Sequence, residues 1–190
     1  VASHEHGDHV EGMAELKRLT GARVAALPAA ARTLASGEPQ ADDPQAAHLP
    51  KMPPVPVERV LADGARVRVG PLVLTARATP AHSPGSTSWT WQSCEGKRCQ
   101  TMTYADSANT ISATGYRFTD HPDRVAQARA GIAAIRALPC GLLITPHPSA
   151  SDLFGRMASG RLANPGACAA YADAATGRFD ARLAKEAAGQ

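Results

Sequence analysis

The sequence has no long apolar run, few aromatic residues and little net charge. No apolar stretch approaches the roughly 20 residues that a membrane-spanning helix needs, so no such helix is predicted. The net charge of +3 is too small and too scattered to indicate a nucleic-acid-binding protein. Aromatic residues are only 4% of the chain, so aliphatic side chains must form most of the core. No internal repeat or low-complexity linker is present, which predicts one domain spanning 1–190.

Cysteine is also scarce, with four residues in the chain. Cys94 and Cys99 bracket the short polar turn Glu95-Gly96-Lys97-Arg98. A metal clip would need a second cysteine pair, and none lies nearby in the sequence. We therefore predict a disulfide between Cys94 and Cys99 at the end of a β-hairpin.

Histidine, by contrast, is concentrated in one place. The segment Ser3-His4-Glu5-His6-Gly7-Asp8-His9 holds three imidazoles and an aspartate within six positions. Packing rarely requires such a density, whereas imidazole is the commonest protein ligand of zinc and a carboxylate suits a second ion. In an extended segment His4 and His6 point to the same side, and a turn after them would direct Asp8 and His9 toward a neighbouring ion. The segment is predicted to be a metal-binding loop.

Two further histidines follow predicted strands. His82 lies in a turn-rich stretch after an apolar strand, and His147 follows the apolar run Leu142-Leu143-Ile144. With the loop they make six candidate ligands, enough for two ions that each keep an open position, as catalytic zinc does. His48 and His121 lack ligand-like neighbours and are predicted to lie in a surface loop and a surface turn.

Together these segments resemble the metallo-β-lactamase superfamily, and within it the subclass B3 metallo-β-lactamases. Four strings carry the resemblance through their order and spacing: His4-Glu5-His6-Gly7-Asp8-His9, His82-Ser83-Pro84-Gly85-Ser86, Tyr104-Ala105-Asp106-Ser107 and Thr145-Pro146-His147-Pro148-Ser149. The resemblance implies two Zn²⁺ ions per chain. The first would be bound by His4, His6 and His82, and the second by Asp8, His9 and His147. A serine at 107, where another subclass places a cysteine ligand, fits the B3 pattern.

The resemblance also implies a fold and a reaction. The fold is α+β, a four-layer αββα sandwich, and we expect its β-rich N-terminal part to be missing because the chain opens just before the metal loop. The reaction is opening of the β-lactam ring of penicillins, cephalosporins and carbapenems by a zinc-bound hydroxide that Asp8 orients. Ser107 is expected to hydrogen-bond a zinc-bound water, and Asn109 or Thr110 to contact the substrate carboxylate.

The same resemblance implies a second disulfide, between Cys140 and Cys168. Two disulfides indicate an oxidising compartment, so we expect a periplasmic or secreted protein. The expected partner is a small β-lactam, with no nucleic acid and no membrane span, and the chain is expected to act as a monomer.

Two alternatives remain open. Lactonases and glyoxalase II-like thioesterases share the His-x-His-x-Asp-His loop and use an additional aspartate that bridges both metals. Asp106 would take that place if the strand end shifted by one residue. The strings around 104–107 and 145–148 and the paired cysteines favour the β-lactamase. A chain without its N-terminal part could also be an inactive zinc-binding remnant.

Local patterns predict the elements around these segments. Helices are predicted at 11–20, 28–37, 122–138 and 168–187, the last interrupted at Gly177. The pair Asp63-Gly64 predicts a β-hairpin between strands 57–62 and 65–69. The stretch 38–56 has no apolar period and is predicted to be a surface loop.

Overall fold

The computed structural model describes residues 1–189, and its centre is a five-stranded sheet in the order β3-β4-β5-β6-β7. The strands are β3 Arg66–Val69, β4 Leu72–Ala78, β5 Thr87–Glu95, β6 Arg98–Tyr104 and β7 Leu142–Ile144. The strands β3 to β6 pair in antiparallel fashion. After a long crossover, β7 joins β6 in parallel. Strand ends from distant parts of the sequence therefore meet at one edge.

A second sheet pairs two short strands in parallel, β1 Ala25–Ala26 and β2 Arg59–Val60. The predicted hairpin at Asp63-Gly64 is therefore wrong. The turn itself forms, with Gly64 at φ +77°, but the strand before it pairs with β1 and not with β3. A turn signal is local, whereas pairing depends on distant packing: Leu61, only 2% exposed, belongs to the apolar cluster between the two sheets.

Within residues 1–189 the α-helices are α1 Gly7–Val10, α2 Met13–Thr20, α3 Pro28–Ser36, α4 Pro122–Arg136, α5 Leu153–Ala158 and α6 Ala167–Ala187. The predicted helix at 11–20 thus begins two residues later. The predicted interruption at Gly177 is wrong, because α6 runs through it unbroken. A glycine in a helix interior costs about 1 kcal/mol relative to alanine. Burial of Tyr171 and Phe179 on either side offsets that cost.

Three apolar clusters divide the molecule into four layers. One lies among α2, α3 and the two-stranded sheet and includes Leu34 and Val55. The second lies between the two sheets and includes Trp89. The third joins the five-stranded sheet to α4 and α6 and includes Ile135 and Phe179. This order of helices, sheet, sheet and helices confirms the predicted αββα sandwich.

The structure contains both cysteine pairs as disulfides. Cys94 and Cys99 lie opposite each other on β5 and β6, with Cα atoms 4.0 Å apart. Cys140 precedes β7 and is bonded to Cys168 in the first turn of α6, with Cα atoms 5.8 Å apart. The second bridge therefore ties the C-terminal helix to the strand that leads to His147. Across residues 1–189, none of the helices combines the length and apolar character that crossing a bilayer requires.

Candidate metal centre

The candidate ligands lie where chain segments leave the sheets. The loop 3–9 is fixed to β5, because the N–H of Thr87 donates to the carbonyl oxygen of Ser3 at 2.7 Å. His82 lies in the turn between β4 and β5, and His147 follows β7. Pairing of β5 and β7 with β6 brings these positions to one edge. The fold thus collects ligands that lie more than 140 positions apart in the sequence.

His4, His6 and His82 form a compact group. Each offers a ring nitrogen that lies within 4.8 Å of those of the other two. The ring centroid of His4 is 4.8 Å from that of His6 and 4.9 Å from that of His82. All three side chains are buried, and His4 is completely so. Three converging nitrogens match the number of protein ligands that a catalytic tetrahedral zinc site uses, with its fourth position open.

The second nitrogen of each ring is bonded to an acceptor. The pairs are His4 Nδ1 with Asp106 Oδ1 at 2.9 Å, His6 Nε2 with Asp43 Oδ2 at 2.7 Å, and His82 Nδ1 with the carbonyl oxygen of Asn109 at 2.6 Å. A carboxylate or a carbonyl only accepts, so each of these nitrogens carries the proton. The opposite nitrogen keeps its lone pair for the shared centre. Metal-binding histidines are oriented in this way in metalloproteins generally.

The burial of His4 tests whether a metal ion fits the group. Its Nε2 is buried and has no hydrogen-bond partner among residues 1–189. Leaving a buried polar atom unpartnered costs about 1–3 kcal/mol. A ring nitrogen with a free lone pair, facing two others, is satisfied by a metal ion. The residues therefore fit the zinc that the sequence predicts.

Electrostatics act differently on the ligands of the first set. Burial lowers the pKa of His4, but the charge of Asp106 and its hydrogen bond outweigh burial and the pKa is raised. Burial and the nearby His4 lower the pKa of His82 to about 4, so its ring is neutral at neutral pH. Burial alone would raise the pKa of Asp106, but the charge of His4 and its hydrogen bond outweigh burial and the pKa is lowered. The pKa of Asp43 is lowered in the same way, against burial, by its hydrogen bond with His6. Neutral imidazole is the form that binds metals.

The second predicted ligand set is only partly assembled. One ligand atom each from His4, Asp8 and His9 lie within 4.8 Å of one another. His9 Nε2 is 3.2 Å from Oδ2 of Asp8, and the same oxygen is 3.7 Å from Nε2 of His147. The ring centroids of His9 and His147 are 5.5 Å apart. His147 is 59% exposed, so it lies at the open side of the centre.

Glu5 connects the two segments that carry the first ligand set. Its buried carboxylate accepts from the hydroxyl of Ser83 and from the N–H of Gly85, both at 2.9 Å. A Cβ atom at Gly85 would lie 2.3 Å from Oε2 of Glu5, so only glycine fits this approach. Burial raises the pKa of Glu5. Glu5 therefore fixes the spacing between the loop 3–9 and the turn that carries His82.

Arg124 of α4 fixes the same turn from the other side. Its guanidinium donates to the carbonyl oxygens of Pro80 and Ala81 at 2.8 and 2.9 Å, directly before His82. The helix approaches closely here, since a Cβ atom at Gly131 would lie 2.5 Å from the backbone N of Ala81. The position of His82 is thus determined by α4 as well as by the sheet.

The three predicted substrate contacts differ in their surroundings. Ser107 and Thr110 are buried, and Asn109 is exposed. The carbonyl oxygen of Asn109 bonds His82, a role that the prediction of a side-chain contact did not include. Gln45 was also missed: its Nε2 lies 3.4 Å from Nε2 of His82, on the side facing the centre.

A cavity of about 420 Å³ adjoins Asp8 and His9 and is lined by Trp89, Trp91 and Tyr104 among others. Burial raises the pKa of Tyr104 to about 12, so its phenol stays protonated at neutral pH. The larger cavity, of about 610 Å³, lies away from the centre beside Arg66 and Arg68 on the five-stranded sheet. The site is therefore identified by the candidate ligands and Gln45, because the larger of these two cavities lies elsewhere.

Asp43 and Gln45 come from the stretch 38–56, which was predicted to be a surface loop. Asp43 is buried, so that prediction is wrong for this part. His48 and His121 are not among the residues brought together at the centre. The signal that could have found Asp43 is chemical: three buried imidazoles each need an acceptor for the second nitrogen. Nothing in the local spacing says which acidic residue supplies it.

Comparisons with known proteins agree with this geometry. The family profile described as "Metallo-beta-lactamase superfamily" matches residues 1–95. A crystal structure of the metallo-beta-lactamase MIM-1 from Novosphingobium pentaromativorans superposes with a TM-score of 0.94 at 56% identity, covering 98% of this chain and 69% of that one. MEM-A1, a subclass B3 metallo-beta-lactamase from a soil metagenome library, superposes with a TM-score of 0.92 at 42% identity, covering 99% and 75%.

One curated relative is named for a different activity. A hydroxyacylglutathione hydrolase of Cereibacter sphaeroides is 36% identical over 85 residues, which is 45% of this chain. The chain spans only 26% of that relative's length.

Proposed function

Because the chain belongs to the metallo-beta-lactamase superfamily, we propose that it is a zinc-dependent hydrolase that opens the ring of β-lactam antibiotics. The observation that carries the proposal is the group of His4, His6 and His82, in which each ring offers one nitrogen to a shared centre while an acceptor holds the other. Similarity to solved metallo-beta-lactamases, at 56% identity for one of them, supports the substrate class.

We assign two zinc ions to the centre. The first would be bound by His4, His6 and His82, supported by the unpartnered Nε2 of His4. The second would be bound by Asp8, His9 and His147, supported by Nε2 of His9, which is buried and makes no hydrogen bond among residues 1–189 but lies 3.2 Å from Oδ2 of Asp8. When bound, zinc supplies Lewis acidity and lowers the pKa of water toward neutrality.

The chain's own residues orient water and substrate. The exposed carboxylate of Asp8 can accept a hydrogen bond from the attacking water and hold it in position. Asn109 is exposed beside the centre and Gln45 faces it, so their amides are placed to bind the carboxylate or amide groups of a β-lactam. Ser107 and Thr110 flank Asn109 in the sequence and are buried.

A thioesterase or lactonase is the second candidate, favoured by the similarity to a hydroxyacylglutathione hydrolase. That reading requires the carboxylate of Asp106 to bind metal. One oxygen of Asp106 is already bonded to Nδ1 of His4, the nitrogen that faces away from the shared centre. This contact supports a role for Asp106 in orienting His4 and so favours the β-lactamase, whereas its other oxygen, buried and without a hydrogen-bond partner among residues 1–189, is the atom that the second candidate would place on a metal.

Hydrolysis assays test the proposal directly. The purified chain is offered a carbapenem, an acyl lactone and a glutathione thioester in parallel, with and without a zinc chelator, and His82→Ala serves as the inactive control. We expect chelator-sensitive ring opening of the carbapenem alone. Cleavage of the lactone or thioester instead would transfer the proposal to the second candidate. Equilibrium dialysis that finds zinc bound without any hydrolysis would indicate a zinc-binding protein without these activities.

We also propose that the protein works as a monomer in the periplasm or outside the cell. The two disulfides support an oxidising compartment, because cytosolic thiols are kept reduced. Mass measurement after alkylation of the protein from intact cells tests the compartment, since free thiols at the four cysteines would contradict it. Sedimentation velocity tests the monomer. Raised antibiotic tolerance of a host that expresses the protein would connect hydrolysis to resistance.

A further inference from the structure

The C-terminal helix α6 contacts the back of the segment 108–112, whose Asn109 carbonyl bonds His82. The hydroxyl of Tyr171 accepts from the N–H of Ala108 at 2.9 Å. Eleven positions later, the guanidinium of Arg182 donates through Nη1 to the carbonyl oxygen of Thr110 at 2.5 Å, and through Nη2 to the hydroxyl of Ser112 at 2.7 Å. Two side chains of one helix thus hold the segment on both sides of Asn109.

The guanidinium of Arg182 is itself fixed in place. Its Nε donates to Oε1 of Glu186, one turn along the helix, at 2.6 Å. It also lies over the ring of Phe118, 4.5 Å from the centroid. The side chain is 27% exposed, so solvent reaches it only in part. A planar fork held on three sides is a rigid donor, which a lysine at this position would not reproduce.

The contacts lead from Arg182 to His82 in two steps. Arg182 fixes the carbonyl of Thr110, and the adjacent carbonyl of Asn109 is the acceptor for Nδ1 of His82 at 2.6 Å. Rotation of the backbone at 109–110 would move that acceptor away and release the imidazole from its orientation. Among residues 1–189 the other hydrogen bond of the His82 side chain, from Gln45 to Nε2, is longer, at 3.4 Å.

We propose that Arg182 is a positioning residue for the candidate metal centre, acting through the backbone at 109–110 to orient His82. The proposal rests on the proposed function in one respect, namely that His82 binds zinc. Among residues 1–189, Arg182 makes no hydrogen bond with a candidate ligand. Its effect must therefore appear in metal affinity, and it must depend on His82.

A double-mutant cycle on zinc affinity tests this dependence. Zinc affinity and stoichiometry are measured by competition with a chromophoric chelator for the wild-type chain, Arg182→Ala, His82→Ala and the double variant. Outer contacts of metal ligands typically change affinity by about 10- to 100-fold, and we expect about tenfold for Arg182→Ala because it acts one step further away. In the His82→Ala background, Arg182→Ala should change the affinity of the remaining zinc by less than about twofold, since residues that act through one another are not additive.

Arg136→Ala is the matched control. Arg136 pairs with Asp173 across α4 and α6 and is 54% exposed, so its loss perturbs the same helix pair without touching the segment 108–112. We expect wild-type zinc affinity for this variant. Arg182→Lys should be intermediate, because one ammonium group can reach the carbonyl of Thr110 but cannot replace the fork. If Arg182→Ala does not fold, the lysine variant takes its place in the cycle.

The outcomes separate a positioning role from a structural one. Lower stability of the metal-free Arg182→Ala chain with unchanged zinc affinity would overturn the proposal, as would an equal loss of affinity in both backgrounds. No substrate is needed, so a wild-type chain that binds zinc but opens no β-lactam refutes the proposed function and leaves this test intact. A wild-type chain that binds no zinc refutes both.

Discussion

Replacing Asp43 by asparagine should disable His6 without altering its surroundings. Oδ1 of Asp43 accepts from the N–H of Gln45 at 2.8 Å, and Oδ2 accepts from Nε2 of His6 at 2.7 Å. Asparagine is nearly the same shape but has one acceptor in place of two. If its oxygen stays with Gln45, its NH₂ group faces Nε2 of His6. The imidazole must then keep a lone pair at Nε2 and carry its proton on Nδ1, the nitrogen that the metal needs.

The expected effect follows from the burial of the pair. Both side chains are at most 4% exposed, so water cannot replace the lost acceptor. Zinc affinity of the site with His6 should fall about 10- to 100-fold, the range found when an outer contact of a ligand is removed. That range corresponds to about 1.4–2.8 kcal/mol. Asp43→Ala should in addition destabilise the metal-free chain by about 1–3 kcal/mol, because the N–H of His6 is left buried without an acceptor.

Two measurements check the reasoning. Chelator competition gives the zinc affinity, and nitrogen NMR of the metal-free chain shows which ring nitrogen of His6 carries the proton. The matched control is Asp42→Asn at the neighbouring position. The side chain of Asp42 is 58% exposed, and its ion pair with Arg32 is long, with Oδ2 3.8 Å from Nη2. An exposed pair of this kind contributes about 0–1 kcal/mol, so its loss should leave zinc binding unchanged. Wild-type affinity in Asp43→Asn, or an equal loss in Asp42→Asn, would refute the role given to Asp43.

Three further predictions concern stability. Gly131→Ala should destabilise the chain by about 1–3 kcal/mol, because the new Cβ atom would lie 2.5 Å from the backbone of Ala81. Gly177→Ala has open space around it and should stabilise α6 by about 0.5–1 kcal/mol. If thermal unfolding showed the melting temperature of both variants shifting in the same direction, this account of the packing would be contradicted. Replacing both cysteines of a disulfide by serine should lower the free energy of unfolding by about 4 kcal/mol for Cys140–Cys168 and about 2 kcal/mol for Cys94–Cys99, because the two bonds close loops of 28 and 5 positions. Guanidinium unfolding measures both losses, and a larger loss for Cys94–Cys99 would contradict this explanation. The hydrogen bond from Arg182 outweighs burial and lowers the pKa of Glu186 below 4.5. The ionised carboxylate therefore stabilises the fold above pH 4.5, and this stabilisation is lost as the pH falls through the lowered pKa. In urea unfolding of the metal-free chain, Glu186→Gln should lose less stability in acid than the wild type, and unchanged acid sensitivity would contradict this prediction.

The parts of the site that the sequence predicted carry a local signal. Their residues either are clustered in the sequence or directly follow a predicted strand. Three imidazoles in the loop 3–9 have no other ready explanation, and His82 and His147 follow recognisable apolar runs. The layered fold followed from the resemblance that these residues carry. The structure brings His4, His6 and His82 together, so that each offers a nitrogen to one centre.

The parts that were missed depend on contacts between distant segments. Asp43 lies in a stretch without apolar period, and only its position beside His6 reveals its role. The contribution of Asn109 is a backbone carbonyl, which residue type does not encode. The prediction of a hairpin at Asp63-Gly64 is wrong for the same reason. The turn forms, but β2 before it pairs with β1 and not with β3.

The order of synthesis gives the long-range contact between His4 and Asp106 a biological consequence. The metal loop leaves the ribosome before its supports: the acceptor for His4 follows 102 positions later, and α6, which holds the segment 108–112, follows later still. Translation proceeds at about 5–20 residues per second, so the loop waits several seconds for its supports. Until then the nascent chain carries the histidines of the loop 3–9 without the contacts that orient them, so the first ligand set can assemble only after the segment 108–112 and α6 have been made.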